Sequence, residues 1–354
     1  MNGDEQWMRL AIEQAQQADY QTWQNPRVGA VVVKAQTVLA VGHTQQFGGP
    51  HAERDAISKL TAKQLADATL YVTLEPCNHY GKQPPCTQLI VESGIKRVVI
   101  AETDPHSLVT GKGIQYLRDH GIEVTTGVLT TQAMAVNPHY NYYFQTHQPW
   151  VTVKQAISLD GKVAAGVGAR TAITNQRVSN LVHRERAWYH GILVGSETAI
   201  VDDPRLTVNV QTSFPPVRII VDRRGRLADH LNLQLLHDSR AQTWVFSENP
   251  GLAKALGKTK AEVICLADCS IKRVVEECGR RGLQSLYVEG GPTIQQAFVD
   301  GNLVNEFITY LSPQFIGRQG VAAVQVPPTV KMVATDTKLL GNNVRIEGQV
   351  KQNV

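Results

Sequence analysis

Apolar residues recur with a helical period at the start of the chain. From residue 4 to residue 19 they lie three or four positions apart, which predicts one face of an amphipathic helix. Residues 28–34 form a nearly continuous apolar run of strand length, which predicts a buried strand. Helical and strand patterns then alternate as far as residue 144, and such alternation is typical of a layered α/β domain.

The same patterns predict the remaining elements of this first segment. Further helices are expected at 51–60, 86–93, 113–120 and 130–144. Further strands are expected at 69–74, 96–101 and 122–125. The pattern lapses at residues 145–149, so we expect the first domain to span residues 1–146.

A second alternating segment begins after this break and predicts a second domain at residues 150–354. Its strands are expected at 150–157, 191–195, 217–222, 243–247, 284–288 and 306–311. Its helices are expected at 175–188, 271–281 and 293–300. A chain of 354 residues is long enough for two buried cores, so the fold class is α/β in both halves.

The composition is ordinary for a soluble globular protein, with 42% apolar and 19% charged residues. The chain begins with an acidic segment, which predicts no secretory signal peptide. No apolar run approaches the roughly 18 residues of a membrane span, so we expect no membrane association. Five cysteines are few and odd in number, which favours reduced thiols and a cytoplasmic location.

The net charge of +4 does not identify a partner. The basic clusters are short and lack interleaved aromatic residues, whereas a nucleic-acid-binding protein normally carries a denser stripe. Small anions such as sugar phosphates suit these clusters equally well. The charge balance alone leaves the partner open, although we expect no nucleic acid and a homo-oligomer.

Two short motifs in the first domain carry metal-binding residue types. His51 opens a predicted helix in a His-Ala-Glu motif, and Cys77 and Cys86 each follow a proline, with eight residues between them. One histidine and two cysteines are donors that Zn²⁺ favours, and three ligands leave a fourth tetrahedral position open for water. Bound zinc lowers the pKa of that water towards neutrality. This set therefore predicts a catalytic zinc site.

Glu53 lies two residues after His51 and is predicted to be the general acid/base that moves protons during a deamination. Histidine and cysteine ligands combined with a non-ligand glutamate are the signature of zinc-dependent nucleobase deaminases. The alternative is a closed structural zinc site with His79 as the fourth ligand. That alternative leaves Glu53 without a role.

The longer motifs around these residues resemble one family. Residues 73–86 (Thr-Leu-Glu-Pro-Cys-Asn-His-Tyr-Gly-Lys-Gln-Pro-Pro-Cys), together with the His-Ala-Glu motif and Asn-Pro-Arg-Val-Gly at 25–29, resemble the bacterial bifunctional deaminase-reductases of riboflavin biosynthesis. Cytidine and tRNA adenosine deaminases look different, because two residues usually separate their cysteines. The resemblance covers residues 5–145 and implies a cytidine-deaminase-like layered sheet.

The resemblance also implies a substrate, 2,5-diamino-6-ribosylamino-4-pyrimidinone 5'-phosphate, which would lose the ring amino group at C2. It implies that the pocket is lined by Asn25, His79, Lys82 and Asp104. A lysine offers a point charge for the phosphate, and an asparagine can bond the sugar or a ring edge. For Asn25 and Asp104, turn-forming hydrogen bonds are an open alternative. His106 stands where the family usually has asparagine.

A strand-to-helix turn, Glu-Gly-Gly-Pro-Thr at 289–293, is the most distinctive feature of the second domain. Paired glycines let backbone amides approach a phosphate at a helix N-terminus, although a simple tight turn is the alternative. The Gly-x-Gly-x-x-Gly fingerprint of dinucleotide-binding domains is absent from the sequence.

This half resembles the reductase part of the same family, which has a dihydrofolate-reductase-like fold and uses NADPH to convert the ribosyl group into a ribityl chain. Residues 153–162, 195–207, 218–222 and 289–291 carry the resemblance. It implies that the cofactor is contacted by Ala156, Thr198, Asp202, Gly291, Pro292 and Thr293. It implies that Arg186, Leu206 and Glu289 contact the substrate, and that Lys154 lies near both the cofactor and the substrate.

The second domain departs from the family at three positions. Arg170 and Ala172 stand in a segment that usually reads Ser-x-Trp-Ile-Thr, and Asn209 replaces a usual arginine. Arg170 could bond a phosphate bidentately, so we expect it to compensate for Asn209. Three further cysteines, at 265, 269 and 278, are interpreted as small apolar residues rather than a second metal site.

Three hypotheses follow from the sequence. The first is a bifunctional enzyme with zinc and NADPH as cofactors. The second is a monofunctional deaminase with a degenerate reductase domain. The third is a non-catalytic zinc-containing binding protein, against which Glu53 and the open ligand set argue.

Overall fold

The chain divides between residues 147 and 148. The structure, a computed structural model, describes residues 3–328 and 330–351. It consists of two compact units, Met1–His147 and Gln148–Val354. The outermost residues of the two predicted domains, Met1 and Val354, lie outside the described residues. No helix within the described ranges is both long and apolar enough to cross a lipid bilayer.

Strands and helices alternate along the first unit. Its strands are β1 (Gly29–Lys34), β2 (Thr37–His43), β3 (Thr69–Leu74), β4 (Arg97–Glu102) and β5 (Glu123–Thr126). Its helices are α1 (Gly3–Ala15), α2 (Ala52–Ile57), α3 (Ala62–Leu65), α4 (Cys86–Ser93), α5 (Lys112–Asp119), α6 (Thr130–Met134) and α7 (Pro138–Thr146).

These strands form one sheet in the order β2-β1-β3-β4-β5. Strand β1 is antiparallel to both of its neighbours, whereas β3, β4 and β5 run parallel. Helices cover both faces, so alternate residues of β1, β3 and β4 enter two separate apolar cores. The carboxyl ends of β3 and β4 meet at one edge of the sheet, and the residues that follow them reach the same place.

The second unit contains a longer series of elements. Its strands are β6 (Trp150–Ser158), β7 (Lys162–Ala164), β8 (Gly191–Gly195), β9 (Val217–Val221), β10 (Thr243–Ser247), β11 (Ala261–Cys265), β12 (Ser285–Val288), β13 (Glu306–Ser312), β14 (Val321–Ala322), β15 (Lys331–Leu340) and β16 (Asn343–Lys351). Its helices are α8 (Gln176–Glu185), α9 (Ser196–Asp202), α10 (Gln234–His237), α11 (Gly251–Ala255), α12 (Ile271–Arg280) and α13 (Pro292–Asp300).

Most of these strands form a single sheet in the order β11-β10-β9-β8-β12-β6-β13-β16-β15. The strands from β11 to β13 run parallel, and β16 and β15 add an antiparallel hairpin at one edge. Strands β7 and β14 pair separately. The carboxyl ends of β8 and β12 lie side by side next to the middle of β6, at an edge where open parallel sheets bind their ligands.

Two predicted helices differ from the structure for local reasons. Helix α1 ends at Ala15 rather than at residue 19, because Asp19 instead caps a 3₁₀ turn by accepting a hydrogen bond from the Gln21 N–H (2.8 Å). The helix predicted at 130–144 is two helices, since Pro138 starts a new helix as its first residue. Strand β2 and the hairpin β15–β16 had no counterpart among the predicted elements.

Candidate active sites

Three metal-binding side chains converge at the carboxyl edge of the first sheet. His51 immediately precedes α2, Cys77 follows β3, and Cys86 begins α4. The Sγ atoms of Cys77 and Cys86 lie 3.6 Å and 3.5 Å from Nδ1 of His51, and the three ligand atoms are all within 4.8 Å of one another. His79 is exposed and does not belong to this group, so the described residues form an open set of three.

The two thiols of this set differ in acidity. A hydrogen bond with Cys86 and another with His51 lower the pKa of Cys77 to about 4. The hydrogen bond with Cys77, together with burial, raises the pKa of Cys86. Cys77 is therefore deprotonated readily. Cys86 gives up its proton only when a cation is bound, because both sulfurs must be deprotonated to coordinate a metal. Two sulfurs and one imidazole nitrogen fit Zn²⁺.

Glu53 lies in the first turn of α2, directly beside the metal ligands. Its side chain is buried, at 4% exposure for the residue, and burial raises the pKa of its carboxyl group. The nearby His51 ring and a hydrogen bond with Cys86 act in the opposite direction. The carboxyl group can therefore bind and release a proton next to the open coordination position.

Asp104 lies at the same edge of the sheet, two residues after β4. Its carboxylate accepts hydrogen bonds from the Tyr140 hydroxyl (3.0 and 3.2 Å) and from the His106 N–H (2.8 Å). The latter bond is the turn-forming interaction left open by the sequence. Burial raises the pKa of Asp104 to about 6. The charge of Cys77 contributes to this shift, so Asp104 and the metal ligands are electrostatic neighbours.

Basic side chains occur in the segment between the two cysteines and just after Asp104. The ammonium group of Lys82 lies over the Phe47 ring, 4.2 Å from its centroid. The edge of the His106 ring packs against Phe144, with 4.2 Å between the ring centroids. Burial lowers the pKa of His106, and the nearby His79 and Lys112 lower it further. These contacts indicate a region that favours an anionic ligand group.

Asn25 ends the turn that connects the first 3₁₀ helix to β1. Its backbone N–H donates to the carbonyl of Thr22 (3.1 Å). Within the described part of the chain its side-chain amide has no hydrogen-bond partner, so that amide does not form the local turn considered above. It is therefore available to a ligand.

The second unit gathers three charged residues around the carboxyl end of β12. Arg186 Nε and Nη2 donate to the two carboxylate oxygens of Glu289 at 2.5 and 2.9 Å. Lys154 Nζ lies 4.0 Å from Glu289 Oε2 and makes no hydrogen bond to any residue that the structure describes. Burial lowers the pKa of Lys154. An ammonium group held in this way is available to a ligand.

The glycine turn after β12 is packed tightly against α9 and β8. The Gly291 N–H donates to the hydroxyl oxygen of Thr198 (2.9 Å), and Pro292 is the first residue of α13. A Cβ atom on Gly290 would lie 2.7 Å from Gly195 N and from Val194 Cα. Backbone can approach backbone here only because Gly290 has no side chain.

The remaining predicted residues of the second site lie in different surroundings. Asp202 ends α9; burial raises its pKa, and the charge of Arg170 nearby lowers it. Ala156 pairs with Tyr310 across β6 and β13. Leu206 is 4% exposed and packs in an apolar core, so its side chain does not line an open surface.

Comparison with known proteins identifies the family. The RibD C-terminal domain model matches residues 149–346, and the cytidine and deoxycytidylate deaminase zinc-binding region matches residues 1–102. The riboflavin biosynthesis protein RibD of Bacillus amyloliquefaciens is 40% identical over 321 residues, covering 89% of this chain and 85% of that protein. The chain belongs to the RibD family.

Solved RibD structures share the fold of the whole chain. Acinetobacter baumannii RibD superposes with a TM-score of 0.89 at 31% identity, over 99% of both chains. A Thermotoga maritima protein described as a diaminohydroxyphosphoribosylaminopyrimidine deaminase/5-amino-6-(5-phosphoribosylamino)uracil reductase superposes with a TM-score of 0.84 at 35% identity, again over 99% of both chains. The predicted fold class is confirmed.

As a RibD protein, the chain is a bifunctional deaminase and reductase of riboflavin biosynthesis. Zinc is the cofactor of the deaminase half and NADPH that of the reductase half. The predictions of both activities and both cofactors are confirmed. The interpretation of the chain as a non-catalytic zinc protein is not supported.

Sequence reasoning missed residues that organise the RibD deaminase site. Tyr140, which bonds Asp104, lies 36 residues further along the chain. Glu75 accepts backbone hydrogen bonds from residues 29 to 39 positions away. The available signal was its position between an apolar strand and a Pro-Cys pair. A carboxylate at the buried edge of a sheet needs hydrogen-bond partners there, because burying it without them is costly.

Proposed function

We propose that the first domain removes the C2 amino group of 2,5-diamino-6-ribosylamino-4-pyrimidinone 5'-phosphate and that the second reduces the ribosyl group of the product with NADPH. The observation that carries the proposal is the convergence of His51, Cys77 and Cys86 on one open position beside buried Glu53. The activity named for the Thermotoga maritima relative supports the substrate.

His51, Cys77 and Cys86 would hold the metal, and zinc bound there makes hydroxide available near neutral pH. Glu53 takes the proton released by the attacking water and transfers it to the ring nitrogen next to C2. The regenerated carboxylate then takes the second proton from the hydroxyl group on C2 and delivers it to the amino group, so that the C2–N bond breaks, ammonia leaves and C2 becomes a carbonyl. The raised pKa of Glu53 suits both transfers.

We propose that the pocket residues recognise the two ends of this substrate. The unbonded amide of Asn25 and the carboxylate of Asp104 suit the sugar and the ring edge. His79 and Lys82 suit the phosphate, because both are exposed basic side chains in the segment between the two metal-binding cysteines.

In the reductase half, NADPH supplies the hydride that reaches C1 of the ribose. Ala156, Thr198, Asp202 and residues 291–293 are proposed to bind the cofactor. Lys154 Nζ donates the proton that the ring oxygen takes up when its bond to C1 breaks. Glu289, held by Arg186, orients the substrate hydroxyl groups.

Arg170 is proposed to bind the substrate phosphate and so to compensate for Asn209. The charge of Arg170 acts on the carboxyl group of Asp202, which is consistent with a position at the rim of the second site. Leu206 is proposed to form the apolar support beneath the substrate.

We also propose the domain assignment and the setting of the enzyme. Residues 1–146 would carry the deaminase and residues 150–354 the reductase. The five cysteines form no disulfide, which supports a reducing, cytoplasmic environment. The enzyme would work as a homo-oligomer without nucleic acid, and sedimentation velocity of the purified protein checks the assembly.

Glu53→Gln tests the deaminase assignment in the full-length enzyme. The glutamine keeps the size of the side chain and all three metal ligands but cannot carry the proton. We expect about one zinc per chain and a loss of ammonia release by about two orders of magnitude or more. Metal analysis and an ammonia assay with the phosphorylated pyrimidine measure the two quantities.

His79→Ala is the matched variant for the metal. Because His79 lies outside the ligand group, this variant should retain zinc while its KM for the pyrimidine rises. Loss of zinc in His79→Ala would instead support the closed four-ligand site. Ammonia release by Glu53→Gln at the wild-type rate would refute the proton-transfer role.

A further inference from the structure

Glu75 is a buried carboxylate that the proposed mechanism does not use. It lies directly after β3, two residues before Cys77, and is 3% exposed. Its backbone N–H continues the sheet by donating to the Glu102 carbonyl (2.9 Å). A charged group in such a position requires compensation, because desolvation of an unpaired carboxylate is costly.

The compensation comes from four backbone N–H groups. Glu75 Oε2 accepts from Asp104 N (3.3 Å) and Gly111 N (3.0 Å), and Oε1 accepts from Gly113 N (2.9 Å) and Ile114 N (3.2 Å). The last two groups belong to the first turn of α5, where N–H groups have no partner within the helix. The carboxylate thus caps α5 from another part of the chain, and the helix dipole favours its charge.

These four bonds hold both ends of one loop. Asp104 begins the segment 104–111, Gly111 ends it, and the segment carries His106 between them. The start of α5 is also pressed against the backbone that leads to Cys77, since a Cβ atom on Gly113 would lie 2.1 Å from the Pro76 carbonyl oxygen. One side chain therefore joins the metal-ligand segment to the loop that carries predicted pocket residues.

We propose that Glu75 is a positioning residue of the deaminase: its carboxylate fixes the loop 104–111 relative to the metal ligands and thereby sets the affinity for the substrate. The proposal rests on the deamination proposed above. Glu75 itself touches neither the substrate nor the metal. Its effect is transmitted through the position of Asp104, whose carboxylate is in turn bonded to Tyr140.

The experiment uses the full-length enzyme with Glu75→Gln and Glu75→Asp. A glutamine offers one oxygen for the four N–H groups and turns its own NH₂ group towards two of them, whereas an aspartate is one methylene too short to reach all four. We expect both variants to keep about one zinc per chain and to raise the KM for the pyrimidine about tenfold or more, with a smaller change in kcat. Reductase turnover of the deaminated product, measured on the same samples, should not change.

Asp4→Asn is the matched control. Asp4, on α1, also accepts several hydrogen bonds, from Tyr71 of β3 and Arg97 of β4. Arg97 begins β4, at the end of that strand away from the metal ligands. This variant should lower the melting temperature without changing the deaminase KM. A merely structural role of Glu75 would produce the same result as Asp4→Asn.

The outcomes separate this role from the proposed function. A wild-type KM in a Glu75 variant that retains zinc overturns the positioning role and leaves the deaminase assignment intact. Loss of zinc in both variants also overturns it, because Glu75 would then maintain the metal site itself. A wild-type enzyme that releases no ammonia from the pyrimidine overturns the proposed substrate, and this role with it.

Discussion

Buried carboxylates in the two domains are compensated in different ways. Glu289 has a cation, since Arg186 donates to both of its oxygens, and its pKa is lowered by that arginine against the effect of burial. Glu75 has four backbone N–H groups instead. Glu53 has neither arrangement, and burial raises its pKa. The residue assigned to proton transfer therefore has surroundings that favour the neutral acid.

Glu102 at the end of β4 leads to a prediction about pH. Burial raises its pKa from 4.5 to about 7, so the folded protein keeps a proton that the unfolded chain releases at lower pH. Its contribution to stability is therefore lost as the pH rises from about 4.5 through about 7. Glu102→Gln removes this loss. We therefore expect the variant to have a higher melting temperature than the wild type at pH 8 but not at pH 4. Calorimetry at the two pH values measures the difference.

Glu92→Gln provides the control for this prediction, because Glu92 lies exposed on α4 of the same domain. Its melting temperature should follow that of the wild type at every pH. If Glu102→Gln melts below the wild type at pH 8, then Glu102 is charged and stabilising in the folded protein, and the proposed titration is wrong.

The metal site could be predicted from the sequence because each ligand lies in a short motif with its own chemical signature. His51 and Glu53 share one helix turn, and both cysteines follow prolines. The partners of Glu75 could not be predicted in this way. They meet it only because β3 and β4 are adjacent and parallel, which is a property of the sheet rather than of any local pattern.

Close packing of the β12–α13 turn against β8 leads to a prediction at the scale of elements. Gly290→Ala would place a Cβ atom 2.7 Å from backbone atoms of β8, so the turn must move away. Because the same turn carries predicted cofactor contacts, we expect the Kd for NADPH to rise about tenfold or more. Fluorescence titration with NADPH measures the change, and deaminase activity should stay at the wild-type level.

Gly257→Ala is the matched control in the same domain, since the nearest atom to its added Cβ would lie 3.3 Å away and the position is exposed. It should bind NADPH like the wild type. Wild-type affinity in Gly290→Ala would show that the turn does not contact the cofactor.

Elements with a strong apolar pattern were predictable, and those without one were not. Strands β3 and β8 and helix α4 have the bounds that their patterns predicted. Helix α9 follows β8 without any connecting loop, so the sequence contains no turn segment that would mark the start of this helix. Strand β15 forms the outer edge of its sheet and exposes large apolar residues such as Leu339, which weakens the alternation that normally reveals a strand.

At the scale of the whole molecule, each set of site residues lies within one compact unit. We therefore expect the two activities to be separable without cutting the chain. A mixture of Glu53→Gln and Gly290→Ala enzymes at limiting NADPH should convert the starting pyrimidine to the reduced product faster than either variant alone. NADPH oxidation in a spectrophotometer follows the reaction.

The reason is that Gly290→Ala supplies the deaminated intermediate and Glu53→Gln reduces it. Wild-type enzyme at the same total concentration gives the upper limit of the rate. If the mixture is no faster than Gly290→Ala alone, then the intermediate does not pass between molecules or the sites depend on each other.

The central place of β6 in the second sheet has a consequence for synthesis on the ribosome. This strand is the first of its unit to be made, yet it lies between β12 and β13, and its Thr152 bonds Glu306, 154 residues later. At bacterial and eukaryotic elongation rates that interval is on the order of ten seconds. The deaminase unit can complete its sheet during this time, whereas the apolar strand β6 has neither of its two neighbouring strands for most of it. Nascent chains of this enzyme should therefore recruit chaperones to the segment that begins at Trp150 until β13 has emerged.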